Sequence, residues 1–137
     1  MQSRSIHAEN VVASGAVTKR RFVGFDGAQA SVQGQKVLGV SQYDAADGDD
    51  LALDAIGTTV VETGAAIAKG DSIITDAQGR AIPATGALSI GAGATPVTST
   101  AADGAILTGA DLPEFVVGDA LAAASGAGKF IEIIFRR

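Results

Sequence analysis

A chain of 137 residues is long enough to bury one ordinary core, and without cysteine it has no disulfide framework, no thiolate nucleophile and no sulfur-held metal. A formal charge of −5 argues against general nucleic-acid binding, which needs a surplus of lysine and arginine on one face, and aromatic residues at 4% leave little for base stacking. No run reaches the roughly 18 apolar residues of a bilayer span, and the polar start MQSRSIHAEN lacks a secretory signal's apolar stretch, so the chain reads as made and kept in the cytoplasm with no membrane partner.

Residues 1–14 are polar and carry no sustained period, so they read as an N-terminal arm, disordered alone and able to order on binding. Residues 15–137 then read as a single β-rich domain. Short strands are expected at 21–25, weakly at 30–32, and at 36–42, with an Asp26-Gly27 turn after the first. After the acidic turn Asp47-Gly48-Asp49-Asp50, residues 51–56 alternate apolar with small or polar side chains, and 58–63 are almost all β-branched. Two further strands follow from that pattern.

Residues 64–71 have a glycine near each end and too few residues between for a stable helix, so they read as a structured connection. A hairpin comes next, with a strand at 72–75, a turn at 76–79 and a return at 80–82 stopped by Pro83. From 84 to about 103 Gly, Ala, Ser and Thr dominate and charge is absent until Asp103, which marks a long loop, either mobile or laid over a partner. The chain returns through 105–108, breaks at Leu112-Pro113-Glu114, and ends in strands at 115–123 and 129–135. The expected fold is all-β: a compact β-barrel or β-sandwich-like domain with at most one short helix.

Chemistry is sparse. The one histidine, His7, lies in the arm, away from any strand that would orient it as a base. Asp44, Asp47, Asp49, Asp50 and Asp54 could bind Ca²⁺ through oxygen alone, but their spacing lacks the Gly-then-Glu ending of an EF-hand loop, and a solvated turn explains them better. The Gly-rich stretches 24–27 and 91–94 open no helix and lack the Lys-Ser/Thr of a phosphate loop; in 126–131 Ile131 stands where the last glycine of GxGxxG belongs. No catalytic residue, metal or cofactor is expected.

The order of Arg21-Phe22-Val23-Gly24-Phe25-Asp26-Gly27, Lys36-Val37-Leu38-Gly39-Val40, Gly64-Ala65-Ala66-Ile67-Ala68-Lys69-Gly70-Asp71, Asp76-Ala77-Gln78-Gly79-Arg80-Ala81 and the ending VVGDALAAASGAGKFIEIIFRR resembles the capsid cement, or decoration, proteins of tailed bacteriophages. The resemblance covers most of the chain from about Val17. It implies a non-enzymatic homotrimer that sits on the outside of an assembled head and locks neighbouring capsomers of the major capsid protein. On that reading the arm residues Arg4, Ile6, Val11 and Val12, with Lys19, Arg20 and Arg21 beside them, would contact the capsid. Arg136 and Arg137 could serve the same end or keep an edge strand soluble. A second reading rests on Ala68-Lys69-Gly70-Asp71, which resembles the modified-lysine turn of biotinyl and lipoyl-like carrier domains, although Ala68 and Gly70 replace the usual flanking Met or Asp.

Overall fold

The computed structural model describes residues 3–84 and 114–137 and, between them, the backbone of two short strands. In chain order the strands are β1 (Ser5–Val12), β2 (Phe22–Val23), β3 (Gly39–Ser41), β4 (Asp50–Glu62), β5 (Ser72–Thr75), β6 (Ala81–Pro83), β7 (Thr98–Ser99), β8 (Leu107–Thr108), β9 (Gly118–Ala120) and β10 (Phe130–Phe135). No helix forms among the described residues, as the Gly-punctuated, β-branched sequence led us to expect. The main sheet runs β2-β3-β4-β10-β9-β5-β6, and β1 joins it by pairing with β4; β7 and β8 pair separately. Its two ends come together where the Phe22 N–H donates to the Gly79 carbonyl at 2.7 Å and the Arg21 and Gln29 side chains donate to the Gln78 carbonyl. The sheet is thus nearly closed into a barrel, which leaves few unpaired strand edges.

Two differences from the sequence expectation shape the surface. The strands expected at 51–56 and 58–63 are one strand of 13 residues, because Gly57 takes a left-handed φ of 102° and the chain bends there without ending. A Cβ at Gly57 would stand 2.3 Å from the Arg4 carbonyl oxygen, so only glycine fits. Most of the arm is itself a strand: Ser5–Val12 lies antiparallel to β4 in register from Ser5↔Gly57 to Val12↔Asp50, with irregular pairing around His7 beside the β4 bend. Its sequence hides this, since SIHAENVV has no core-facing apolar alternation.

The core has two parts. Phe22, Val40, Val61, Ile73, Ile131, Ile133 and Phe135 lead the larger cluster, while Ala13, Val17, Val23, Ala45, Leu51 and Leu53 form a smaller one. Along β10 and the second half of β4 buried residues alternate with more exposed ones, which is the period of a sheet packed on one face, while in β2, β3 and β5 adjacent residues are buried on both faces.

Beneath this lies an internal repeat of backbone path, marked in each segment by one left-handed turn residue. Residues 14–22, 42–50, 64–72 and 121–130 trace the same path: a bend, a single bridging residue, a turn, then the next strand. The bridging residues pair reciprocally, Val17 with Ala45 and Ile67 with Ala124, at N···O distances of 2.8 to 3.0 Å. The turn residue is left-handed each time: Gly48 (φ 85°), Gly70 (93°), Gly128 (77°) and, in the first segment, Arg20 (60°). Each of these donates its N–H to the carbonyl just before the partner segment, Arg20 to Ser41, Gly48 to Ala13, Gly70 to Ala120 and Gly128 to Thr63. Strand pairing repeats as well. The strand before the first segment pairs with the strand after the second (β1 with β4), and the strand before the third pairs with the strand after the fourth (β4 with β10).

Candidate functional site

β1 is the surface feature that the core does not explain. Seven of its eight residues are exposed, and only Val11 is half-buried, against the smaller core cluster. Ile6 is 79% exposed and Val12 61% exposed, so both faces of the strand meet solvent. Among the described residues β1 pairs with β4 alone. A strand in this position offers backbone donors and acceptors along one edge and side chains on two faces, the arrangement by which one protein adds a strand to another.

The residues expected to contact a partner divide into two groups. Arg4, Ile6, Val11 and Val12 lie along β1 or at its start. The Arg4 backbone is fixed to β4 by exchange with Thr58: its N–H donates to Thr58 Oγ1 at 2.8 Å and its carbonyl accepts from the Thr58 N–H at 3.0 Å. Ile6 rests beside Gly57, where the missing side chain makes room for it. Lys19 is exposed on a turn held by Asp44, whose Oδ1 accepts the Lys19 N–H at 2.7 Å.

Arg20 and Arg21 are engaged within the fold. Arg21 Nε donates to Glu62 Oε2 at 2.7 Å and its Nη1 to the Gln78 carbonyl at 2.8 Å, so its guanidinium ties β4 to the β5–β6 turn. Arg20 Nη1 stands 3.6 Å from Asp54 Oδ2. Asp54 is 3% exposed, and it also accepts from Gln42 Nε2 at 2.6 Å and Thr59 Oγ1 at 2.7 Å. A buried carboxylate needs such a set of partners, because an unpaired charge out of water is strongly unfavourable. Nothing in the spacing Lys19-Arg20-Arg21 distinguishes two internal ion pairs from a basic patch.

The acidic cluster also serves the fold. Asp44 caps the Lys19 turn, Asp47 Oδ1 accepts the Gly15 N–H at 2.9 Å, Asp49 Oδ2 accepts the Ala46 N–H at 3.1 Å, and Asp54 is the buried acid just described. The Asp49 bond is the local kind by which Asp stabilises its own turn, whereas Asp44 and Asp47 reach across to the turn at 15–19 and tie the two segments together. Among the described residues no three His, Asp or Glu side chains gather as a metal site. His7 Nε2 lies 2.6 Å from Glu9 Oε1 on exposed β1. Lys69 is exposed on a turn closed by Asp71, whose Oδ2 accepts the Ala68 N–H at 2.8 Å. Most of the expected 84–103 loop lies outside the described residues.

A groove of about 160 Å³ is lined by Lys36, Val37, Phe115, Val116, Val117, Arg136 and Arg137. Its arginines are occupied: Arg136 forks onto Asp119 at 2.7 and 3.0 Å, and Arg137 donates to the carbonyls of Val37 and Leu38. The hydrogen bond to Asp119, then its charge, raises the Arg136 pKa above its ordinary value. The two terminal arginines thus fasten the end of β10 to the barrel.

One set of surface residues escaped the sequence reading. Phe130 (43% exposed), Ile134 (42%), Leu121 (38%) and Ile56 (39%) are large apolar side chains facing outward on or beside β10, β9 and β4. The signal was present in Phe130-Ile131-Glu132-Ile133-Ile134-Phe135, where apolar residues occupy both faces of one strand.

A family model described as "Phage cement protein" matches residues 2–135, nearly the whole chain. Among solved structures, the N base of head fiber gp8.5 in bacteriophage phi29 is similar over 95% of this chain and 93% of its own, with a TM-score of 0.63 and 17% sequence identity. At that identity the likeness is one of fold. No curated protein matches the chain.

Proposed function

This chain belongs to the phage cement protein family and is a structural protein of the phage head; we propose that it binds the outer surface of the shell and joins neighbouring capsomers of the major capsid protein, without enzymatic activity. The observation that carries the reading is β1, a strand held to its own domain by one backbone ladder while its side chains face solvent on both sides. Such a strand is stabilised further when its free edge and apolar side chains, Ile6 and Val12 foremost, meet a second protein. Arg4, at its start, and Lys19, on the adjoining turn, add exposed cations for an acidic capsid surface.

Strength would come from number. Several copies joined to one another, each with its own β1, engage the lattice with an avidity far above that of one strand, since the second contact forms at high effective concentration. Contacts spanning a capsomer boundary would resist the outward pressure of packaged DNA. A homotrimer suits local three-fold positions of a head lattice.

The test is cryo-electron microscopy of heads prepared without the protein, with it, and with a variant lacking residues 1–14. Extra density between capsomers that appears with the full chain and vanishes with the variant supports the reading. Full-length protein that leaves the head surface bare overturns it.

A further inference from the structure

We propose that the outward face formed by β4, β10 and β9 is where a second copy of this chain docks, which deepens the cement reading and rests on it for the use of several copies.

The strand alternation is the first argument. Along β10, Ile131, Ile133 and Phe135 point inward and are at most 8% exposed, which already accounts for the barrel's share of apolar residues. The outward set on a strand with water on one side is normally polar. Here it includes Phe130 and Ile134, with Glu132 between them. Pairing aligns Ile134 with Thr58, Glu132 with Val60 and Phe130 with Glu62 on β4, and Ile134 with Asp119 on β9. Leu121 lies next to Glu132, to whose carbonyl its N–H donates at 2.9 Å. Ile56, two residues before Thr58, continues the strip toward Ile6 beside Gly57. Large apolar side chains that adjoin in this way mark a surface covered in the working assembly.

Charge selects the occupant. The chain carries −5 overall, so two copies brought together at an arbitrary place repel. On this face the acids are matched within the chain: Arg21 holds Glu62 and Arg136 holds Asp119, each at 2.7 Å. Among the described residues Glu132 is the remaining acid of this face, and Lys129 precedes the same strand, so the cations Arg21, Lys129 and Arg136 balance Glu62, Asp119 and Glu132. The exposed acids Asp44, Asp47, Asp49 and Asp50 belong to a turn off this strip. A neutral, apolar strip bordered by matched charges is where a copy of the same acidic chain can approach without repulsion.

The experiment uses the full chain and three variants, Ile134→Lys, Ile134→Cys and, as control, Ala77→Cys on an exposed turn. Light scattering across a concentration series should show the wild type as an oligomer and Ile134→Lys as a monomer, its self-association weakened about a hundredfold or more by a charge left in the interface. Because the chain has no native cysteine, maleimide labelling reads one site at a time. The thiol at 134 should label at least about tenfold more slowly than the thiol at 77 when the protein is concentrated, and at a similar rate after dilution. An oligomeric wild type with Ile134→Lys folded and still oligomeric overturns the face assignment, as does equal labelling at both thiols in the concentrated sample. A monomeric wild type overturns self-association itself. Co-sedimentation with heads, run on the same wild-type sample, reports on the cement reading separately: no binding sinks that reading whatever the oligomeric state.

Discussion

Removing residues 1–10 separates the fold from the strand proposed to bind the head, and the structure sets the size of the effect. Five of the register pairs are lost, those of Ser5, His7, Ala8, Glu9 and Asn10, while Val11 and Val12 stay in place beside Ala13. Every side chain removed within that strand is exposed, so the hydrophobic loss is close to nil. Each ladder hydrogen bond contributes about 1 kcal/mol net, and each released residue regains about 1 to 2 kcal/mol of conformational entropy, so the two nearly cancel. The expected change in stability is within about 2 kcal/mol. For 137 residues that moves the thermal midpoint by less than about 7 °C, read by circular dichroism in dilute solution because the exposed β4 edge invites aggregation. The same variant should lose head binding. A fall of more than about 15 °C, or loss of a cooperative transition, would show that β1 belongs to the core and refute the division between a barrel and a detachable strand.

Asp54→Ala strips Gln42, Thr59 and Arg20 of a shared buried partner and is expected to cost about 3 kcal/mol, seen as a lower urea midpoint with unchanged slope. Gly118→Ala would place a Cβ 2.0 Å from the Ile134 carbonyl oxygen and push β9 from β10, so it should cost about 3 kcal/mol or prevent folding. Gly70→Ala, also a glycine-to-alanine change but with nothing within 4 Å of the new atom and a φ of 93°, should cost only about 1 kcal/mol; equal losses at the two sites would show that packing at β9 is not the cause. Thr63→Val keeps the shape of a fully buried side chain but orphans the Lys129 N–H and the Gly126 carbonyl, and a loss of about 2 kcal/mol in the same urea assay is expected.

How much of this was legible depends on whether a residue's role is local. The hairpin at 72–83 was readable because Ser72–Thr75 and the Asp76 turn state their structure within a dozen residues, although Pro83, expected to stop the return strand, is its last residue and pairs with Ile73. Asp76 makes the turn by accepting the Gln78 and Arg80 N–H groups at 2.8 Å, a bond set that the local sequence encodes. β1 was not readable as a strand, because its partner is β4, some 45 residues on, and its side chains carry no core pattern. Arg20 and Arg21 looked like a surface patch for the same reason: Asp54 and Glu62 are distant in sequence, and a basic triplet says nothing of what it meets. The repeat was hidden twice over. Its four segments share a backbone path rather than residue types, and the glycine that marks the left-handed turn in three of them is Arg20 in the first, where the guanidinium's pairing with Asp54 offsets backbone strain of about 1 kcal/mol or more.

That repeat also explains why this barrel has a strand to give away. In the second half the strand entering the third segment is the end of β4, whose Thr59 and Val61 are fully buried and whose partner β10 is itself flanked by β9. In the first half the corresponding strand is β1, paired in the same sense with the start of β4. One long strand, β4, thus serves both halves, and a single barrel wall is enough for both. The repeat therefore supplies one strand more than closure requires, and the surplus falls at the N-terminal end, outside the path β2-β3-β4-β10-β9-β5-β6. Selection for stability acts weakly on such a strand, since none of its side chains is fully buried. Its sequence is then free to suit a partner surface, while the outward strip on β10 is bound to a strand whose inward residues hold the core. On this account the surface formed by β1, proposed above to meet the capsid, can change with the partner it fits, whereas the face proposed for self-association is tied to the fold.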